Sequence, residues 1–311
     1  MSEETSSCCC ASCGVAAGGD IKLRKCTACY LVSYCGITCQ KVHRKQHKGD
    51  CKKRAAELRE CKQRAAELRD ELLFKQPESS HLGDCPICML PLPFDLHESV
   101  IASCCSKIIC EGCEVANMKR QKEMRLQRTC PFCREPAAKS NEEIEKRHMK
   151  RVEMNDSFST FQWGGEQCEK GNYSAAFEYW TKAAGMGNME AHNTLAWLYR
   201  EGRGVEKNRG KEIHHLEEAA IGGHPQARNH LGAHEWNNTR NAERAVKHWI
   251  IAAAQGHDLS MKTLMDVFKR GYVSKEDLAD TFRAYQAAVN ATKSPQRDMA
   301  EEYLRSTNSA S

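Results

Sequence analysis

The sequence predicts a multidomain chain in which two small cross-brace modules precede an all-α solenoid of helix pairs. Three observations carry this reading. Of the 19 cysteines in 311 residues, eighteen fall before residue 134. Most of them form two ordered arrays in which short and long gaps alternate. After residue 134 an Ala-Ala-x-x-Gly pattern recurs at offsets of 36 and 33 residues.

Length and composition narrow the classes. A chain of 311 residues exceeds one ordinary core and implies two or three units. No apolar run reaches the roughly 18 residues of a membrane span, so no membrane partner is expected. The start, Met1-Ser-Glu-Glu-Thr-Ser-Ser, lacks the basic and apolar stretches of a secretory signal, and a cytoplasmic or nuclear location is expected. In such a reducing compartment, patterned cysteines point to metal more than to disulfides. The formal net charge is +5, and residues 41–70 carry eleven Lys/Arg against five Asp/Glu. That stretch reads as a charge-laced helix. No aromatic residue lies between Tyr34 and Phe74, so base stacking has no platform and nucleic acid is not an expected partner.

The first array reads Cys10-x2-Cys13-x12-Cys26-x2-Cys29-x5-Cys35-x3-Cys39-x7-His47-x3-Cys51. Eight thiol or imidazole donors make two tetrahedral zinc sites with no open position. Short gaps let one turn aim two donors at one ion, and long gaps carry the chain to the next. Cys8 and Cys9 precede the first ligand as spare thiols, with a register using Cys9 left open.

Tyr34-Cys35-Gly36-Ile37-Thr38-Cys39-Gln40, followed by His47-Lys48 and Cys51, resembles the MYND zinc finger, as does the whole array. The resemblance implies interleaved sites: Cys10, Cys13, Cys35 and Cys39 on one zinc, Cys26, Cys29, His47 and Cys51 on the other. It also implies a docking module for short, often proline-rich, peptides. Arg44 stands where that family usually has Trp, which alters the expected peptide surface.

Cys51-Lys-Lys-Arg-Ala-Ala-Glu-Leu-Arg-Glu60 is copied as Cys61-Lys-Gln-Arg-Ala-Ala-Glu-Leu-Arg-Asp70. Cys61 therefore reads as the duplicate of a ligand with no metal role of its own. Ala, Leu, Glu, Arg and Lys favour helix. Leu58, Cys61, Ala65, Leu68 and Leu72 form a seam of about two heptads, which could pair as a short coiled coil in a dimer; a stiff spacer packed on a zinc module, in a monomer, is the leading expectation. Gln76-Pro77 ends it.

The second array holds Cys85-Pro86-Ile87-Cys88, Cys104-Cys105, Cys110-x2-Cys113 and Cys130-Pro131-Phe132-Cys133-Arg134. Residues 84–136 resemble a RING domain. The resemblance puts Cys85, Cys88, Cys110 and Cys113 on one zinc, and Cys130 and Cys133 on another with two middle donors. Lys107 stands where a ligating His is common, and a protonated lysine cannot ligate. Cys105 sits where an all-Cys RING has its fourth ligand, leaving Cys104 as its tightly adjacent partner. About four Zn2+ per chain are expected, with the Cys104–Cys105 site left open between occupied and defective. Ile87, Pro131 and Arg134 match positions that contact an E2 ubiquitin-conjugating enzyme, whereas Asn117 replaces an aromatic contact and Met118 is its possible substitute.

In the C-terminal half, Ala183-Ala184-x2-Gly187-x3-Ala191-x3-Leu195 recurs from Ala219 and again from Ala252, with a faint copy at Asn155, Ser159 and Trp163. The difference between the two offsets falls in the Arg200–Asn208 loop, which is longer than its counterpart around Asn237-Asn238. Small residues allow close helix approach, Gly ends one helix, and Leu lines the next. Trp180 and Trp249 read as wedges between neighbouring pairs. Through Ala-Ala-x-x-Gly and Leu198-Tyr199-x-x-Gly202-x-Gly204-Val205 the block resembles Sel1-like repeats, cousins of the tetratricopeptide repeat. The resemblance implies a protein- or peptide-binding solenoid. Ser274-Lys-Glu-Asp277 opens a helix to about Asn290, and a short helix from Pro295 precedes a frayed end. His230 and His234 are one turn apart, but no carboxylate completes an HExxH motif.

The expected organisation is a disordered head (1–9), the first module (10–51), a helical linker (52–80), the second module (84–136), a helical linker (137–154), repeats with a C-terminal helix (155–292) and a tail (293–311). No phosphate loop, hydrolase site or SET methyltransferase motif is present. The leading reading is a zinc-binding scaffold whose partners are proteins or peptides, with no catalytic residue. The alternative is a RING-type ubiquitin ligase acting through a bound E2, with the solenoid or the first module recruiting substrate.

Overall fold

The computed structural model describes residues 9–17, 21–94 and 98–308, and the chain divides into two units, Met1–Leu72 and Leu73–Ser311. The expected head, Cys9 apart, and the last three residues of the tail lie outside the described residues.

In the first unit β1 (Arg24–Lys25) pairs antiparallel with β2 (Ser33–Tyr34), setting Arg24 against Tyr34. Helix α1 (Ile37–Leu73) follows. The core holds three cysteines, Cys10, Cys26 and Cys29, beside Tyr34. So little apolar area cannot order a domain alone. The linker helix expected from residue 52 is the continuation of α1, which begins inside the first array. His47 and Cys51, four apart, share one helix face. The expected packing of the spacer is short-ranged: Leu58 is half-buried, but Leu68 and Leu72 are exposed.

The second unit opens with Leu73 and carries β3 (Ser99–Ile101) paired antiparallel with β4 (Ile108–Cys110), then α2 (Glu111–Glu123). Cys85, Leu92, Ile109, Cys110 and Cys113 form this module's core. Helix α3 (Asn141–Glu153) leads into helix pairs: α4 (Ser157–Glu169) with α5 (Tyr173–Gly185), α6 (Met189–Glu201) with α7 (Arg209–Ile221), α8 (Pro225–His234) with α9 (Ala242–Ala254), then α10 (Asp258–Lys269) and α11 (Lys275–Ala291). Gly187, Gly223 and Gly256 of the repeated pattern sit at φ of 83°, 86° and 97°, which only glycine adopts without strain. The next helix then starts on a side-chain cap from Asn188, His224 or His257. In the third unit of the repeat a π-helical turn, Glu235–Thr239, and Arg240 at φ 59° take the place of the longer Arg200–Asn208 loop.

The two tryptophans are wedges, as the repeat pattern predicts. Trp180 Nε1 donates to the Phe161 carbonyl at 3.0 Å and lies over Gly164, where a Cβ would come within 2.6 Å of that nitrogen. Trp249 lies over Gly232, where a Cβ would come within 2.5 Å. Between them the middle repeat packs Leu216 with Ala196 in one core.

Two predictions follow from this packing. Gly232→Ala forces the indole of Trp249 to shift, and should cost about 1–3 kcal/mol and lower the thermal midpoint. The second concerns His248, 1 % exposed, with neither ring nitrogen partnered. Burial, helped by facing Arg228 and Arg244, lowers its pKa to about 3. The folded chain keeps it neutral while the unfolded chain protonates below about 6.5. Stability from this group is therefore full above that pH and is lost as pH falls toward 3. Urea midpoints should decline between pH 7 and 4.5, and His248→Leu should flatten that decline.

Candidate metal centres

Five turns aim the cysteines. The residue after each second cysteine adopts a left-handed φ: Gly14 at 73°, Tyr30 at 57°, Met89 at 57°, Ser106 at 57° and Arg134 at 63°. The turn is closed by N–H donation back across it, from Tyr30 to the Cys26 carbonyl at 2.9 Å and from Met89 to the Cys85 carbonyl at 2.9 Å. Bridges Cys9–Ala16, Asp84–Pro91 and Thr129–Pro136 seal three of these knuckles. Spacing alone gives the pairs; it does not reveal that tyrosine, methionine, serine and arginine would accept this backbone.

The knuckles gather sixteen donors into four groups: Cys10, Cys13, Cys35 and Cys39; Cys26, Cys29, His47 and Cys51; Cys85, Cys88, Cys110 and Cys113; Cys104, Cys105, Cys130 and Cys133. Within each group the donor atoms lie within 4.8 Å of one another, and the cysteines are free of disulfides. Two sulfurs on tetrahedral zinc stand about 3.8 Å apart, given Zn–S bonds of about 2.3 Å. The Sγ separations are 3.6 Å for Cys13–Cys35, 3.7 Å for Cys26–Cys51, 3.7 Å for Cys88–Cys110 and 4.0 Å for Cys105–Cys130. Cys29 Sγ lies 3.2 Å from His47 Nε2. The donor sets therefore fit a soft, four-coordinate cation. Crowding already separates the thiol acidities. Backbone N–H groups, Cys35 foremost, lower Cys10 to about 6, while burial and the neighbouring thiols raise Cys51 to about 12.

The adjacent pair Cys104-Cys105 is brought together with Cys130 and Cys133, which removes the expected geometric difficulty. Ser106 N–H donates to the Ala102 carbonyl at 2.7 Å, and this tight turn splays the neighbours. Cys104 Sγ reaches Cys133 at 3.3 Å while Cys105 faces Cys130. Lys107 points elsewhere, over the Phe132 ring at 5.8 Å. His230 and His234 belong to no such donor group among the described residues.

Sequence reasoning missed the supports of the second module. The helix expected from Pro295 is α12 (Pro295–Asn308), 14 residues packed on α2, and the end beyond it lies outside the described residues. Arg297 donates to the Pro91 carbonyl at 2.7 Å, to Leu90 at 3.3 Å and to Cys88 Sγ at 3.5 Å. Its aliphatic stem lies against Gly112, where a Cβ would come within 2.9 Å. Arg151 of α3 donates to the Cys105 carbonyl at 3.1 Å, and Ser106 bonds Ser159 of α4 at 2.7 Å. Nothing in the spacing of an isolated Arg or Ser signals these roles.

A fifth group was also missed. His81 Nε2 lies 2.7 Å from Glu190, His224 lies 3.3 Å from its other oxygen, and the two rings stack at 4.2 Å. Burial opposes the Glu190 charge, but the facing His224 and His81 rings hold its carboxyl well below the usual range. His224 Nδ1 accepts from Ala227 N–H at 3.3 Å, so its proton sits on Nε2, facing the carboxylate. A metal-bound imidazole normally donates through its second nitrogen. The His81–Glu190 hydrogen bond closes this cluster as a latch, while His224 Nε2 lies against the second carboxylate oxygen without hydrogen-bond geometry and His81 Nδ1 has no partner.

The fold and its donor groups define a class: an N-terminal cysteine-built finger followed, after a second cysteine cluster, by a helical repeat solenoid. Residues 10–51 match the MYND finger, and residues 160–188, 190–224 and 238–257 match the Sel1 repeat. The second array rests on its cysteine geometry alone. Among solved structures, a Sel1 repeat protein from Oxalobacter formigenes is 22% identical, covering 56% of this chain and 70% of that one, with a TM-score of 0.43. The protective antigen c5321 of uropathogenic Escherichia coli strains, displaying an SLR fold, is 18% identical over 53% of this chain, with a TM-score of 0.39. This chain spans 37% of that antigen. No curated protein matches. Among the described residues no helix is long and apolar enough to cross a membrane.

Arg297→Ala removes charged donors from two carbonyls at the Cys85–Cys88 knuckle, those of Leu90 and Pro91. It should loosen that knuckle by about 1–3 kcal/mol, read as faster amide exchange over residues 85–92 with exchange in α8 and α9 unchanged.

Proposed function

We propose that this chain is a zinc-built protein-docking scaffold whose first module grips an acidic segment of a partner. The observation that carries the reading is a groove of about 820 Å³ beside the Cys26–His47 group. Lys41, Arg44, Lys48, Lys52 and Arg59 line it, with Tyr34 and Ile37 as apolar floor and no carboxylate in the lining. Arg44 occupies the place where the resembled family usually has Trp, so charge replaces an aromatic contact there. A groove of one sign attracts the opposite sign and sets specificity and on-rate. The proposed ligands are the sixteen donors gathered above, about four zinc ions per chain, each ion organising segments with little core of their own. Four protein donors fill each site, which gives the ions a structural role.

Exposure favours a second reading, a RING-type ubiquitin ligase. Ile87 is 40 % exposed, Phe132 43 % and Met89 68 %, with Arg134 exposed beside them and Pro131 half-buried. Such apolar side chains around two knuckles could receive an E2. Asn117 is not available as a contact in place of an aromatic, since its amide is spent on the Thr129 carbonyl at 3.0 Å.

Three measurements test these readings. Elemental analysis of purified chain should give four zinc ions, and Cys105→Ser should give three; the absence of stoichiometric zinc would reject both modules. A fluorescein-labelled Glu-rich peptide should bind with an affinity that falls as salt rises, and Arg44→Glu should weaken it by about tenfold. Equal binding of a neutral proline-rich peptide would overturn the acidic-ligand reading. Autoubiquitination with a panel of E2 enzymes, compared between wild type, Ile87→Ala and Arg134→Ala, decides the second reading; no chains with any E2 rejects it.

A further inference from the structure

The cations of the basic groove stand in one row. Lys41, Arg44, Lys48, Lys52 and Arg59 all belong to α1, at steps of three, four, four and seven residues. Such steps return to one helix face at each turn. At about 1.5 Å per residue the row is about 27 Å long. The turn it skips, between Lys52 and Arg59, holds Ala55, half-buried and also in the groove. All five cationic side chains are exposed, and among the described residues none makes an ion pair. Arg59 spends one nitrogen, Nε, on the Ala55 carbonyl at 3.2 Å. On another face of the same helix the charge is matched, with Arg54 on Glu57 at 3.2 Å. No acidic residue stands in the first turn of α1, so its positive end is uncompensated as well.

The rhythm of the row selects the shape of its ligand. Lys41 and Lys52 are eleven residues apart, about 16.5 Å along the axis. Three one-turn steps of a second helix cover that length. Three same-face steps of an extended strand, about 6.7 Å each, overshoot it by about 3.5 Å. The remaining surface of the groove includes Thr27, Ala28 and Ala55, small side chains that let another backbone come close.

We propose that the groove takes an acidic α-helix of a partner protein, with Glu or Asp at every third or fourth position along one face. Each carboxylate of that face then meets one cation of the row, and the two helices lie side by side over Ala55. Antiparallel pairing sets the negative end of the ligand helix at the positive end of α1. The inference rests on the reading of this groove as a site for acidic segments, and adds the conformation and charge pattern of the segment.

The test uses the full chain and three fluorescein-labelled peptides, followed by anisotropy at low salt. The first sets its glutamates at i, i+3 and i+4 spacing on an alanine-rich background. The second has the same composition with the glutamates scattered round all faces. The third is the first with a central alanine replaced by proline. The first should bind at least about tenfold tighter than either of the others, because scattering breaks the charge match and proline breaks the helix. Its helical circular dichroism should rise on binding. Lys52→Glu should weaken the first peptide about tenfold. Lys53→Glu makes the same charge change on an exposed residue outside the groove, and should weaken it by less than about twofold. If Lys52→Glu does not fold, Arg59→Glu, beyond the last metal donor of the module, takes its place. Equal binding of the three peptides, or equal losses from the two lysine variants, overturns the helical ligand and leaves the acidic-segment reading standing. Binding by none of the three overturns both.

Discussion

Convergence of soft donors on single points is the constraint from which the N-terminal modules derive. In four groups of thiols, one including an imidazole, the donor atoms lie within 4.8 Å of one another. Thiolates so crowded repel one another unless a cation sits among them. The remaining core is too small to hold them: three cysteines and a tyrosine in the first module, three cysteines with Leu92 and Ile109 in the second. On the proposed zinc occupancy, metal affinity and folding are the same free energy in these segments. The left-handed residues after each knuckle show how far the backbone is bent to serve the donors. A tyrosine, a methionine, a serine and an arginine each accept a conformation that costs about 1–2 kcal/mol.

The solenoid obeys a different rule. Its order comes from small residues that let helices approach and from large ones that fill what remains. Alanines at the repeated pair are at most 7 % exposed in all three copies. Wedge and floor change together: Trp lies over Gly, Leu packs with Ala. That pairing reflects close packing, since an added methylene must be met by a removed one. In the middle repeat the exchange is spread over three positions, Leu216 for Trp, Ala196 for Gly and Glu212 for Ala, and all three side chains stay buried.

Much of this was legible in the sequence because ligands and repeats leave periodic marks. The cysteine pairs follow from the short gaps, their partition into four groups is what the family resemblances imply, and the helix pairs follow from Ala-Ala-x-x-Gly. What stayed hidden has no period. Arg297 is one arginine in a polar C-terminal stretch, yet it reaches back some two hundred residues to Cys88, Leu90 and Pro91. Nothing in the sequence marks His224 or His257, yet each caps a helix through Nδ1. Residues 104 and 105 are a tight pair for one ion, a site the spacing leaves open, and Ser106 turns left-handed between the strands beside them. Long-range pairing and single-residue backbone reversals are invisible to spacing arguments because neither repeats.

These aperiodic contacts also explain why the second module and the repeats fall in one unit. Three polar ties join them: His81 and His224 on Glu190, Arg151 and Ser159 at Ser106, and Arg297 at the Cys88 knuckle. Each draws on buried or half-buried groups whose partners come from both sides, so separating the two parts would strand donors and acceptors away from water. A module with its own complete core would not require this. The second module surrounds its donors with little else, and the solenoid supplies the rest through α3, α4 and α12. Its exposed apolar residues, Ile87, Met89 and Phe132, are thereby held by a scaffold far larger than the metal sites alone could provide.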